Sequence, residues 1–350
     1  MSSVPAGSFH PSASTAERYR TFSRVEARGS SPLYVALAAG VSDDPAVLAL
    51  LEQVPRPKRQ PNLLFASVLY LGGIQPDYPS FRRFVLAHRD EIRTLLLSKS
   101  TQTNEVGRCA TLLTLLARLP GPLALLEVGA SAGLCLLPDR YAYRYNEGEL
   151  LGDPASPVRL SCRTRGLVPI PRAVPEVVWR RGIDLHPIDV RDEAAVRWLE
   201  CCVWPDQPER LARLRAAVAV AREEPPMVVT GDLLESVVDV AASAPADATL
   251  VVFHSAVLNY LTAEDRRAFA GLMSGRPWVW ISNEGRGVVE TLRLPRELPD
   301  PNCFVMGLGA TEAVAFTHPH GRWVEWVEEQ DGEPQPSSSR PDPASGNRAV

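Results

Sequence analysis

The sequence predicts an α/β protein, a doubly wound and mostly parallel sheet preceded by a helical N-terminal domain. Three observations carry that prediction. Apolar residues recur at helical spacing between Ala16 and Leu119, with no alternating strand pattern among them. The texture changes at Pro120-Gly121-Pro122, a strong breaker. Beyond it, short apolar runs alternate with helical patterns, as they do when a parallel sheet is covered on both faces.

Residues 1–15 are small and polar and read as a disordered lead without the apolar core of a signal peptide. Residues 16–119 form the helical cap domain. Within it, Pro32 to Leu37 starts a helix behind Ser30 and Ser31, and Pro45 to Val54 follows the cap candidates Asp43 and Asp44. Leu63 to Leu71 and Phe81 to Leu97 continue the helical pattern. Residues 120–330 form the α/β domain. Its first strand is Leu123 to Val128, a short buried run that ends in a Gly-rich turn and leads into a predicted helix.

Further strands are expected at Gly182 to Leu185, Met227 to Thr230, Thr249 to His254, Trp278 to Ser282, Asn302 to Leu308 and Glu312 to Thr317. Helices are expected at Glu193 to Cys202, Glu209 to Arg222 and Ala263 to Met273. The tight turn Gly309-Ala310-Thr311 makes the last two strands a closing antiparallel hairpin. Residues 140–178, rich in Pro, Arg and Tyr, break the rhythm and read as an insertion. Residues 331–350 carry four prolines and four serines and read as a disordered tail.

Composition narrows the function classes. The 350 residues are 45% hydrophobic and 22% charged, ordinary for a globular protein long enough to bury a large core. A net charge of -4 offers no basic excess for general nucleic-acid binding. The most apolar stretch, Leu112 to Leu137, is broken by Arg118, Pro120, Pro122 and Glu127, so no membrane span is expected and the cytoplasm is the default location. The six cysteines contain no C-x-x-C pair, and the adjacent Cys201 and Cys202 are poorly placed for a bridge; reduced thiols are expected.

The chemistry concentrates at Glu127-Val128-Gly129-Ala130-Ser131-Ala132-Gly133. Small residues let a ligand approach the backbone at the carboxyl end of a first strand, where open α/β sheets bind ligands. The same letters contain G-x-S-x-G, the pattern of a hydrolase nucleophile elbow, with Ser131 as nucleophile and Asp232 or Asp247 and His254 or His318 as partners. Against that stand the turn's position after the first strand, the carboxylate at Glu127, and the lack of an H-G-G-G pattern upstream. A ligand-free tight turn is the third reading.

The carboxylate before the first glycine resembles the class I S-adenosylmethionine-dependent methyltransferase turn, E/D-x-G-x-G-x-G, with Ser131 in place of the middle glycine. That resemblance assigns Glu127, Gly129, Ala130, Ser131 and Gly133 to S-adenosylmethionine. It also gives the ribose hydroxyls to Asp184, in Gly182-Ile183-Asp184-Leu185, and the adenine amino group to Asp232, after Met227 to Thr230. The fourth junction, Val251-Val252-Phe253-His254-Ser255-Ala256-Val257-Leu258, would face the methyl group and a small-molecule acceptor, with His254 read either as general base or as a satisfied core histidine.

Gln102-Thr103-Asn104-Glu105-Val106-Gly107-Arg108 reads either as a capped, solvated helix start, with Thr103 or Asn104 as cap and Glu105 in the first turn, or as a lid, with Gln102, Asn104, Glu105 and Arg108 on the acceptor or cofactor and Arg108 suited to a carboxylate. His318-x-His320 lacks a third ligand at recognisable spacing, so no metal site is expected. Tyr141, Tyr143 and Tyr145 line a pocket or pack the insertion.

The Gln102 to Arg108 segment, the Glu127 to Leu134 turn, Asp139-Arg140-Tyr141, Trp179 to Leu185, Trp204-Pro205-Asp206-Gln207, Phe253-His254-Ser255 and His318-Pro319-His320-Gly321 together resemble an actinobacterial group, domain-of-unknown-function family 2332. The resemblance runs from about Tyr19 to Trp326 and implies a methyltransferase-like fold without an assigned reaction. Cys135 stands where that family usually has asparagine. A cofactor-binding or regulatory module on the same scaffold, without turnover, is the second hypothesis.

Overall fold

Ser31 and Asp44 start two helices through their side chains, which accept hydrogen bonds from Tyr34 N and from Ala46 N and Val47 N, with prolines in the first turn. The structure is a computed structural model and describes residues 13–327 apart from Ile74 and Pro295. The tail at 331–350 and most of the lead lie outside the described residues.

The N-terminal helices are α1 (Thr15–Thr21), α2 (Pro32–Ser42), α3 (Pro45–Glu52), α4 (Pro61–Tyr70), α5 (Tyr78–Ala87), α6 (Arg89–Ser98) and α7 (Arg108–Leu116). α1 to α6 share one core, built on Tyr19, Phe22, Tyr34, Phe65 and Phe81. α7 does not belong to it. Its buried residues Cys109, Leu113 and Leu116 join Leu123, Leu125 and Val251 of the sheet. The cores therefore divide near Ser100, whereas the breaker at Pro120 predicts a division at Leu119. Apolar periodicity marks α7 as a helix and cannot say which core it buries into.

The α/β part runs β1 (Leu123–Val128), β2 (Ala142–Tyr145), β3 (Arg159–Arg165), β4 (Val177–Asp184), α8 (Glu193–Cys201), α9 (Pro208–Glu223), β5 (Met227–Thr230), α10 (Leu233–Ala241) and β6 (Thr249–Ser255). It continues with α11 (Ala263–Met273), β7 (Val279–Gly285), β8 (Phe304–Leu308), β9 (Glu312–Thr317) and β10 (Trp323–Trp326). The strands form one 10-stranded sheet in the order β2-β3-β10-β9-β8-β7-β6-β1-β4-β5.

β5-β4-β1-β6-β7 is parallel throughout, with Glu127 level with Phe253 of β6 and Gly182 of β4. The chain steps outward from β1 to β4 to β5, then returns to place β6 on the other side of β1. That reversal is a topological switch point, and ligands of open α/β sheets bind at the carboxyl ends of the strands on its two sides, here β1 and β6. β7, β8 and β9 form an antiparallel meander, so the expected hairpin is present between β8 and β9.

Two expectations change. The insertion at 140–178 is part of the sheet: β2 and β3 pair in parallel, and β3 pairs in parallel with β10 at the far edge. Its signal was the alternation Arg159-Leu160-Ser161-Cys162, in which only Leu160 and Cys162 are buried. Tyr141, Tyr143 and Tyr145 are buried there and donate their hydroxyls to Leu134 O, Pro138 O and Ala110 O, so they pack the insertion. The helix expected after the Gly-rich turn is replaced by 3₁₀ turns at Leu134–Leu136 and Pro138–Arg140. Pro138 follows too soon for an α-helix to establish its hydrogen bonds.

Candidate functional site at the carboxyl edge of the sheet

The β1 turn takes its shape from alternate left-handed residues: Gly129 at φ 72°, Ser131 at 52° and Gly133 at 68°. Glycine adopts this region without penalty, and serine does so at a cost of about 1 kcal/mol. The glycines are also demanded by neighbours. A Cβ on Gly129 would lie 2.0 Å from Val257 Cγ2, and one on Gly133 would lie 2.9 Å from Pro226 Cβ. Gly129 N and Ala130 N donate to Ile183 O at 2.8 and 3.1 Å, which ties the turn to β4.

Asp184, at the end of β4, faces this turn. Its Oδ2 accepts Ser131 N and its Oδ1 accepts His186 N, both at 2.8 Å. Asp232 follows β5 and caps α10 through Leu234 N at 2.8 Å. Glu127 is buried, and its Oε2 has no hydrogen-bond partner among the described residues; the same holds for Ser131 Oγ. Burial raises the Glu127 carboxyl well above the usual carboxylate range, Cys135 adds to the effect, and the Arg108 charge opposes it.

Residues 101–107 cross this edge as a non-helical strap. Gln102 Nε2 donates to His186 O beyond β4 at 3.1 Å. Asn104 Nδ2 donates to Ala130 O at 3.2 Å while its Oδ1 accepts Leu134 N at 2.8 Å, clamping both ends of the Gly-rich turn. Arg108 donates from Nη1 to Ser255 O of β6 at 3.0 Å and from Nε to Pro319 O of the β9–β10 turn at 2.9 Å. Neither Thr103 nor Asn104 caps α7; Gly107 holds that position, so the capped-helix reading of this segment is corrected.

Glu105 is the knot that holds the strap. Its Oε2 meets Arg210 Nε at 2.6 Å and lies 3.4 Å from His320 Nδ1, and its Oε1 meets Arg213 at 3.3 Å. Burial works against its charge, yet His320 and the two guanidiniums hold its pKa far below the carboxylate range. Burial holds the His318 and His320 imidazoles down at about 4, although Glu105 pulls His320 upward. The strap and the His318 to Gly321 turn meet backbone to backbone, where a Cβ on Gly321 would lie 1.8 Å from Gly107 O. Among the described residues no group of three metal-ligating side chains converges.

A family model described as an uncharacterized protein conserved in bacteria, DUF2332, matches residues 16–326. The chain belongs to this family. No curated protein and no solved structure matches it. In this DUF2332 chain the motifs that carried the resemblance gather at one place. The strap, the Gly-rich turn, the Phe253-His254-Ser255 junction, the His318 to Gly321 turn and Gln207, which binds Arg210, all meet at the carboxyl edge.

His254 has a different setting from the one expected of a general base. It is 1% exposed, its Nε2 accepts the Trp280 indole N–H at 3.0 Å, and its Nδ1 faces Glu284 Oε1 at 2.8 Å. Glu284 Oε1 also accepts Val257 N and Leu258 N. With both ring nitrogens engaged, the imidazole has no lone pair to offer an acceptor. The hydrolase arrangement is not assembled either, because Ser131 Oγ bonds to no histidine among the described residues.

Sequence reasoning missed Arg210, Arg213, Trp280, Asn283, Glu284 and Thr317. Asn283 donates to Ser255 Oγ at 3.1 Å and accepts Thr317 Oγ1 at 2.7 Å, making a polar row across β6, β7 and β9. The available signal was Ser282-Asn283-Glu284, polar residues that continue a buried strand. Tyr260, in a short turn after β6, leaves 70% of its surface exposed as an aromatic face. Among the described residues no single helix is long and apolar enough to cross a membrane.

Proposed function

We propose that this DUF2332 chain binds S-adenosylmethionine at the carboxyl edge of a methyltransferase-like sheet and serves methyl transfer to a small-molecule acceptor. The observation that carries the reading is the switch point between β1 and β6. There a glycine turn, a buried acid and two further acids occupy the ends of β1, β4 and β5 in the parallel order β5-β4-β1-β6-β7. The residues fit such a ligand. Each Asp184 oxygen, with one backbone N–H, keeps a lone pair for a ribose hydroxyl. Asp232 is the acceptor for the adenine amino group, and the unpartnered Glu127 Oε2 and Ser131 Oγ are buried polar atoms that a ligand would satisfy.

The cofactor supplies an electrophilic methyl group when bound. The chain's contribution in this reading is positioning and exclusion of water by the strap, with no proton taken by His254. Val257 seated over Gly129 and the engaged His254 favour the second reading, a module that binds the ligand without turnover. Calorimetric titration with S-adenosylhomocysteine separates these from a ligand-free turn. The proposal expects micromolar binding by the wild type, weakened about tenfold or more by Asp184→Asn, which loses the charge and, because its amide nitrogen cannot accept, one of the two backbone N–H contacts. A folded wild type that takes up no ligand would remove the proposal.

A further inference from the structure

Where the strap meets α8 and α9 it walls a pocket of about 310 Å³, its open mouth included, lined by Gln102, Thr103, Asn104, Val106, Cys202 and Arg210 among others. The walled part has room for about one water-sized group. Arg210 is 8% exposed. It spends Nε on Glu105 and Nη1 on Gln207, and its Nη2 donates to nothing among the described residues. Arg213, one turn further along α9, reaches the same Glu105 carboxylate through Nη2, and its Nε is buried without a partner among the described residues. The backbone N–H groups of Thr103, Asn104, Glu105 and Val106 likewise donate to nothing among the described residues.

The charges around this pocket do not balance. Arg210 and Arg213 share one carboxylate, that of Glu105. Arg108 adds a third guanidinium, whose charge is felt at Arg210 and whose own bonds go to the backbone carbonyls Ser255 O and Pro319 O. Glu209, one turn before Arg213, is exposed and joins no ion pair among the described residues. His318 and His320, held down at about 4, are neutral at pH 7, and burial pushes the Cys202 thiol up to about 12. Three cations therefore stand against one anion. Burying a guanidinium without its counter-ion is costly, and a small anion supplies the missing partner.

We propose that this pocket binds one small monovalent anion, of the size of chloride or formate, held by Arg210 and the strap amides in the field of Arg213. Guanidinium and successive backbone N–H groups are both recurrent anion donors. A phosphate ester or a sugar is too large for the walled part. The bound anion ties residues 101–107 to α9, and so steadies the segment that clamps the Gly-rich turn through Asn104. Its occupancy does not require a cofactor at the ends of β1, β4 and β5.

The test is thermal melting of the full chain near pH 7 at constant ionic strength, with sodium gluconate replaced stepwise by chloride or by formate. Gluconate is too large for the pocket and is the reference. Chloride is expected to raise the melting temperature with saturation, by about 2 °C at about 100 mM, as a dissociation constant of roughly 5 mM gives. Arg213→Gln keeps the Arg210 to Glu105 pair and is expected to move the chloride midpoint up about tenfold or more. A response to formate without one to chloride supports the site and assigns it to the carboxylate head of an organic acid. Equal melting in all three salts would overturn the proposal, and so would a chloride response unchanged in folded Arg213→Gln. Where that variant does not fold, the chlorine-35 line width in magnetic resonance decides: broadening by the wild type that formate reverses supports the site, and broadening that formate leaves intact overturns it.

Discussion

Gly321→Ala is the sharpest probe of how the strap is held. The position has φ 70°, and a Cβ there would lie 1.8 Å from Gly107 O and 2.2 Å from Gly107 C. A left-handed alanine costs about 1 kcal/mol by itself. The larger cost is backbone against backbone, because no side chain can rotate away. To restore an ordinary contact of 3.4 Å the turn and strap must separate by about 1.6 Å. That distance breaks the Arg108 to Pro319 O bond and strips His320 from Glu105. A charged hydrogen bond such as Arg108 to Pro319 O is worth roughly 1.5–3 kcal/mol, so the total is about 2.5–4 kcal/mol. Gly275→Ala is the matched control, since φ is 74° there and nothing lies within 4 Å, leaving only the cost of about 1 kcal/mol for the backbone. Thermal melts of both variants are expected to differ by roughly 4 °C or more. If Gly321→Ala melts within about 1 °C of Gly275→Ala, the close approach of strap and turn is not what holds this edge together.

Three further outcomes follow from the same geometry. Val257→Ala removes the methyl groups seated against Gly129 and is expected to tighten S-adenosylhomocysteine binding at a stability cost of about 1–2 kcal/mol; weaker binding by calorimetry would show that Val257 supports the ligand instead. Trp280→Phe leaves His254 Nε2 buried without a donor and is expected to cost about 1–3 kcal/mol in urea unfolding, whereas a neutral result would deny that the bond matters. Stability is expected to fall on acidification from pH 7 toward pH 4: His318 and His320 are held at about 4 when folded and return toward 6.5 when unfolded, so the unfolded chain binds more protons in that window. Glu105, depressed when folded, adds its own loss below the ordinary carboxylate range. His320→Asn is expected to flatten the slope between pH 6.5 and 4, and an unchanged slope in pH-dependent melts would place the titration elsewhere.

What the sequence made legible is what local pattern encodes. Met227 to Thr230 and Glu312 to Thr317 are strands with the expected limits, because both are apolar runs bounded by turn formers. β4 begins at Val177 and not at Gly182, since Arg180 and Arg181 hide a strand whose guanidiniums have partners: Arg180 pairs with Asp139 at 3.0 Å. The crossing of Gln102 to Arg108 over the sheet was one of two readings left open by seven polar-rich residues. What local pattern does not encode is long-range pairing. Glu105 looks like a solvated first-turn carboxylate until α9 brings Arg210 and Arg213 against it. His254 looks like a base until the register of β6 with β7 sets Trp280 and Glu284 on its two nitrogens. Both residues left two readings open because the counterparts of their charged or polar groups come from distant strands and helices.

The central claim is that a ligand sits at the carboxyl edge between the Gly-rich turn and the strap. Hydrogen–deuterium exchange with and without S-adenosylhomocysteine tests it directly, because backbone amides at that edge are the ones a bound ligand shields. The account predicts slowed exchange across Gly129 to Gly133 and Thr101 to Gly107, with α1 to α6 unchanged. Exchange unaltered at both segments under saturating ligand, or protection confined to the helical N-terminal core, would contradict it.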